Sequence, residues 1–269
     1  MSAPKLSAHL SAVYPTAYVA ATTHVFLKNA ANLSLSSDSL AYWLFQDRIY
    51  AAHAYPRFIA QLIAKIPLDS FPSYYASDLG RRTLAILVEC LNNVVREVNF
   101  FEETAKKYGL NIGGVEGQKD EVWMVRKATR DYIAEMARVG ALRTLEDGLV
   151  FLWAMEKVYL DAWTTVHAAG SSKPESSDPT VRAIRELSLN WSSANEHFKK
   201  FVKDIQDVLD EYYEPVMCAA TGAGGGQAWG KDVLARAESI WARVVELEDD
   251  FWPEKGEETL MRHAAATRT

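Results

Sequence analysis

The sequence predicts an all-α protein, a bundle of about eight helices in a single domain over residues 1–269. Apolar residues recur at helical spacing along most of the chain. No stretch shows the sustained alternation of β-branched residues that a sheet needs. The segments between the periodic stretches are rich in Gly, Pro, Ser and Asp, which punctuate helices.

In chain order, the spacing predicts helices over 14–30, 38–66, 77–108, 121–139, 144–169, 178–190, 194–213 and 228–252. Ser37 and Asp38 are candidate N-caps for the second helix. Thr144-Leu-Glu-Asp147 and Ser193-Ala-Asn-Glu196 resemble capping boxes for the fifth and seventh. Pro56 falls inside the second helical pattern, so that helix is expected to kink near Tyr55. Gly113-Gly114, the turn-rich stretch 170–179 and the glycine run Gly222–Gly226 separate later helices. The glycine run marks a flexible loop near 219–229, and residues 253–269 read as a polar tail.

The net charge of −6 argues against nucleic acid as the main partner. Cys90 and Cys218 are the only cysteines, too few for a disulfide framework. With no signal-peptide pattern at the start, the expected compartment is the cytoplasm. No apolar run has the length of a bilayer span, so no membrane partner is expected.

Three helices interrupt an aromatic-rich apolar stripe with one acid. In Leu40–Ala54 the stripe runs Leu40, Trp43, Leu44, Asp47, Tyr50, Ala51 and Ala54. Glu156 follows Leu149, Leu152 and Trp153 and precedes Tyr159, Leu160 and Trp163. Glu248 follows Trp241, Val244 and Val245 and precedes Phe251 and Trp252. A single acid of this kind is ordinarily solvated or paired with a base, and Arg48, Lys157 and Arg243 are the nearest bases in sequence. Three in the same register, each followed by an aromatic residue three positions on, point to carboxyl groups facing a dry cavity. Such groups bind polar ligand atoms or exchange protons with them. The residues suggest a flat, polar ligand held by aromatic rings.

Other chemistries find less support. No HExxH, CxxC, Walker or GxSxG motif is present. Glu-x-x-His pairs of a di-iron bundle are absent from the core helices, His53 reads as a packed structural histidine, and Cys218 reads as a buried thiol.

The stretches WLFQDRIYAAHAYPRF, TRDYIAEM, the helix through Tyr159, NWSSANEHFKKFV and ELEDDFW, in that order from Leu40 to Trp252, resemble the TenA family of thiaminase II-like aminopyrimidine hydrolases, which implies a haem oxygenase-like helical fold. The resemblance implies that Asp47 hydrogen-bonds the aminopyrimidine ring, with Tyr50 and Tyr132 lining it. It implies that Tyr159 lies near the nucleophile, that Trp191 takes the place of a pocket aromatic, and that Glu248 passes a proton to the leaving group. Many members carry a nucleophilic cysteine four residues before the tyrosine that Tyr159 matches. Met155 stands there, so the resemblance is to a branch that lacks this cysteine and relies on glutamates, with Glu156 as the second acid. The implied activity is cleavage of the aminomethyl or formylaminomethyl group of a 4-amino-2-methylpyrimidine in thiamin salvage. It implies no metal and no organic cofactor, a small-molecule partner and a homo-oligomer. Two other classes share such a chain: a binding protein that kept the pocket without turnover, and a haem or di-iron oxidase on the same architecture.

Overall fold

The computed structural model describes residues 4–67, 78–113, 123–222 and 226–262. Among them the chain forms twelve α-helices and one π-helical turn, with no β-strand beyond an isolated bridge between Trp123 and Arg262. The expected all-α fold is the one observed.

The first half differs from the sequence reading in its joints. A short helix α1 (Leu6–Ala12), not expected, is tied down by Asp210, which accepts from the Ser7 N–H and hydroxyl, both at 2.8 Å. The single helix expected over 14–30 is two, α2 (Pro15–Thr22) and α3 (Val25–Ala31). His24 breaks them apart, because its ring accepts from the Phe26 N–H and caps α3. Helix α4 (Ser37–Ile49) starts one residue early, capped by Ser36, whose hydroxyl accepts from the Ser39 N–H at 3.0 Å. Ser37 and Asp38 therefore sit in its first turn, where the Asp38 carboxylate favours the helix dipole.

The expected kink before Pro56 is a π-helical turn over Tyr50–Ala54, followed by α5 (Tyr55–Ile63). Proline has no N–H and its ring collides with the carbonyl four residues back. Widening the preceding turn relieves both, and the Tyr55 N–H bonds the Tyr50 carbonyl, five residues back. Tyr50 and Tyr55 are thereby brought to one side of the chain.

Helix α6 (Asp78–Tyr108) matches expectation within the described residues; residue 77 lies outside them, as does Gly114. The helix expected from 121 begins later, as α7 (Lys127–Leu142), and residues 121–122 lie outside the described residues. Residues 123–126 are instead extended, because Gln46 holds them: its amide donates to the Met124 carbonyl at 2.9 Å and accepts from the Arg126 N–H at 3.1 Å.

Helix α8 (Leu145–Ser171) is the centre of the bundle, capped by Thr144 as expected. Residues 147–155 are buried on every face, so this part of α8 has no polar side to give to solvent. It packs against α2, α3, α9 (Pro179–Asn190), α10 (Glu196–Thr221) and α11 (Gln227–Phe251). The box expected at Ser193 is displaced by two residues: Asn195 is the cap and accepts from the His197 and Phe198 N–H groups. Helix α10 also runs eight residues past its expected end at 213, through Pro215. Burial of Val216, Met217 and Ala220 offsets the hydrogen bond that proline forfeits. The close crossing of α11 there needs Gly230, where a Cβ would come within 2.5 Å of the Ala220 nitrogen. The centre of the glycine run, residues 223–225, lies outside the described residues.

Residues 253–262 of the expected tail pack back on the bundle and include a short helix α12 (Glu257–Leu260); residues 263–269 lie outside the described residues. Arg126 ties this segment to α11, bonding Glu257 at 2.7 Å and the carbonyls of Phe251 and Trp252. The arrangement fixes Phe251, which the site uses. Among the described residues no helix is long and apolar enough to cross a membrane.

Candidate functional site

The acids that interrupt the three stripes turn inward to one slot. Asp47 comes from α4, Glu156 from α8 and Glu248 from α11, and Tyr50, Tyr132, Met155, Tyr159 and Trp191 line the same slot. Every sequence-predicted site residue is thus brought together. The bases nearest to them in sequence go elsewhere: Arg48 to Glu102 and the Gly113 carbonyl, Lys157 to Asp161, Arg243 to Glu246. None of the eleven lining residues is Lys, Arg or His.

Two lining residues escaped the sequence reading, Glu97 and Tyr55. Glu97 was legible in principle. Cys90, Val94, Glu97 and Phe101 on α6 repeat the stripe-with-acid pattern at the same register, with Phe100 three positions after the acid, but polar Asn93 interrupts the apolar run before it. Tyr55 was not, because a regular helix would rotate it roughly 140° from Tyr50. Only the π turn aligns the two.

Each of the four carboxyl groups accepts a hydrogen bond from an aromatic side chain. The Tyr159 hydroxyl donates to Asp47 at 2.7 Å, Tyr55 to Glu156 at 2.6 Å, the Trp191 indole to Glu97 at 2.6 Å, and Tyr132 to Glu248. The Tyr50 hydroxyl reaches the Met155 sulfur at 3.4 Å. Tyr50, Tyr132 and Phe251 pack with ring centres 5.0–5.8 Å apart and wall one side. Tyr159 stacks on Trp252 at 5.7 Å and meets Trp191 edge-on at 5.5 Å on the other.

Four acids without a base cannot all be ionised in such a place. Burial pushes the Glu156 and Glu248 carboxyls up to about 8, and Glu97 up to about 7, against the donors that each accepts from. Burial also holds Asp47 well above the usual carboxylate range, and the nearby Glu97, Glu248 and Glu156 charges add to it. At neutral pH the slot therefore holds a mixture of carboxylic acids and carboxylates. It can donate and accept protons at several adjoining points, and it favours ligands that bring basic nitrogens or N–H donors.

The other residues singled out have plainer places. His53 is exposed, so it is not the packed histidine expected; the π turn points it outward. Cys218 is exposed and Cys90 is fully buried, the reverse of the expected buried Cys218. Burial raises the Cys90 thiol well above its usual range, which leaves it a weak nucleophile. Among the described residues no group of three or more His, Cys, Asp and Glu side chains has a metal-holding arrangement.

Several solved structures with this arrangement of helices are TenA homologues. The TenA homologue from Pyrococcus furiosus superposes with a TM-score of 0.66 at 22% identity, covering 92% of this chain and 98% of that one. The fold is that of the TenA homologues. A second, from P. horikoshii OT3, gives 0.67 at 13% identity over 93% and 97% of the two chains. A third, described as a TenA family transcription regulator from Silicibacter sp. TM1040, gives 0.68 at 16% over 92% and 95%. At these identities the likeness establishes the TenA fold and no activity. A curated protein of Fusarium pseudograminearum (strain CS3096), named a probable transcription factor, is 29% identical over 275 residues, or 90% of this chain and 51% of its own length. The chain thus spans about half the length of that relative. No protein-family model matches the chain.

Proposed function

We propose that this TenA-like chain is an aminopyrimidine hydrolase of thiamin salvage, of the type that works with glutamates in place of a cysteine. The observation that carries the reading is the slot itself: four acids, each held by an aromatic donor, with no basic residue among them and aromatic walls on both sides. A 4-amino-2-methylpyrimidine is the complementary shape. It is flat, it stacks on aromatic rings, and its ring nitrogen beside an exocyclic amine matches a carboxyl group with two hydrogen bonds.

In this reading Asp47 holds that edge of the ring while Tyr50, Tyr132 and Tyr159 enclose it. Glu156 in its ionised form takes a proton from water. The water oxygen bonds to the exocyclic methylene carbon as the carbon–nitrogen bond breaks, and Glu248 in its acid form gives its proton to the departing nitrogen. Water and the aminomethyl compound become the hydroxymethyl compound and ammonia, and a proton returned from Glu156 to Glu248 resets the pair. Tyr132 positions Glu248, and Tyr55 positions Glu156. No step uses Met155, whose thioether cannot serve as the family's nucleophile. The slot's chemistry calls for no metal and no organic cofactor.

Incubation of the purified chain with thiamin-derived aminopyrimidines, read by mass spectrometry, tests the proposal. Appearance of the hydroxymethyl pyrimidine supports it; intact substrates after exhaustive incubation refute turnover. Met155 favours one second reading, a protein that binds the same pyrimidine without cleaving it, and the names of the Fusarium and Silicibacter relatives accord with a regulatory role. Saturable aminopyrimidine binding with no product would select that reading. Stoichiometric iron in the purified protein would instead favour an oxidase. A cytoplasmic location and a homo-oligomeric state belong to the same proposal.

A further inference from the structure

The slot does not end at its acids. Tyr55, Glu97, Glu156 and Trp191 line it on one side and a second chamber on the other, so they form a neck between two spaces. The spaces are unequal. A water-sized sphere can centre in about 40 Å³ of the slot and about 350 Å³ of the outer chamber. The chemistry changes across the neck as well. The slot is acidic, whereas the far rim of the chamber carries Arg96, His197 and Asn93. Arg96 Nη2 lies 2.7 Å from Glu89 and 3.0 Å from His197 Nε2, and it also donates to Asn93 Oδ1. These contacts fall on one nitrogen of a group with five N–H donors.

Resting on the aminopyrimidine reading of the slot, we propose that the site takes an extended ligand whose ring fills the slot, whose linker crosses the neck, and whose anionic end, carboxylate or phosphate, reaches Arg96. Glu97 and Glu156 at the neck favour a linker that presents an N–H, as an amide or an amine does. The reach is set by α6. Asn93 and Glu97 lie one helical turn apart on the same face, with Cβ atoms about 5–6 Å from each other. A linker of about four atoms spans that distance. The end group then meets the guanidinium, which suits planar oxyanions by geometry and charge. Glu89 lowers the local potential around Arg96 and so makes the preference one of selectivity more than of raw affinity.

The test is calorimetric titration of the full chain with four ligands built on 4-amino-5-aminomethyl-2-methylpyrimidine: the bare amine and its N-succinyl, N-phosphonoacetyl and N-pentanoyl derivatives. The N-pentanoyl compound matches the N-succinyl compound in length and lacks its charge. At least one anionic derivative is expected to bind tenfold or more tightly than the N-pentanoyl compound, and the better of the two identifies carboxylate or phosphate. In Arg96→Met that ratio should fall below threefold, with the thermal midpoint unchanged as the check on folding. Equal binding of all three acyl derivatives, rejection of all three by a chain that binds the bare amine, or a ratio that survives Arg96→Met would each overturn the inference while leaving the slot reading intact. Failure of the bare amine and all derivatives to bind would overturn the slot reading, and this inference with it.

Discussion

Replacing Glu248 by glutamine should make the protein more stable while disabling it, and the gain should depend on pH. Glu248 is only 3% exposed, and burial raises its carboxyl to about 8 from an ordinary value near 4.5. The folded chain therefore binds this proton more tightly than the unfolded chain does. Below pH 4.5 both states hold the proton and the acid costs nothing extra. As pH rises from 4.5 towards 8, the unfolded chain releases the proton first, so stability falls, and above 8 the penalty levels off. At 1.36 kcal/mol per pH unit, the difference between pH 4.5 and pH 7 comes to about 3 kcal/mol, rising to about 5 kcal/mol at pH 9. Glutamine has the same shape and no proton to lose, and its carbonyl can still accept from Tyr132. Glu248→Gln should thus raise stability by about 3 kcal/mol at pH 7 and by almost nothing at pH 4.5. For a chain of this size that corresponds to a thermal midpoint higher by roughly 6–12 °C at pH 7. Thermal melts of both proteins across pH 4.5–9 measure it directly. A gain that does not grow with pH, or a destabilised variant at pH 7, would refute the argument that Glu248 is held as a neutral acid.

The same slot gives three further expectations. Glu156→Gln and Glu248→Gln should each lower kcat by about 10²–10⁴-fold, with the double variant scarcely worse than the poorer single one; near-normal kcat in Glu156→Gln alone would dissolve the pair. Asp47→Asn should weaken binding of an aminopyrimidine by roughly one to two decades, the worth of a charge-assisted pair of bonds, and an unchanged Kd in titration would remove Asp47 from the recognition of the ring. Cys90→Ala and Cys218→Ala should both keep their turnover, since one thiol is sealed in the core and the other lies on the surface; loss of activity in a folded Cys218→Ala protein would revive a cysteine mechanism.

The fold class and the meeting of three stripes were readable because both follow from periodicity, and periodicity survives in a bare sequence. Joints were less readable, because each is decided by a partner remote in the chain. Gln46 keeps residues 123–126 extended across a sequence separation of about eighty residues, and nothing local announces it. Helix α10 passes through Pro215 because α11 covers its far end, again a tertiary cause. Glu97 shows a different shortfall. Its register was visible, but the aromatic partner that makes it part of the slot, Trp191, comes from the end of α9. Tyr55 depended on a π turn, and the proline that prompts the turn advertises a kink without giving its geometry.

The four acid–aromatic pairs share a logic that bears on why the slot is built at all. A buried carboxylate is costly, and its usual remedy is a salt bridge. Here each acid has instead a tyrosine or an indole, which satisfies one oxygen without supplying charge. Such a donor stabilises the carboxylate too weakly to restore an ordinary pKa, so the acids stay poised near neutrality. A lysine or arginine in any of those four places would have fixed its acid as a carboxylate and ended its use as a proton donor. The aromatic partners also serve as walls, so the groups that tune the acids are the ones that shape the slot for a flat ligand. Placing those acids on α4, α6, α8 and α11, four helices pinned by the tryptophan-rich core, holds the charges at positions they would not choose for themselves. Under the proposed hydrolase reading, the stability forgone at Glu248 is the cost of keeping a proton ready at the point where the ligand's nitrogen would need it.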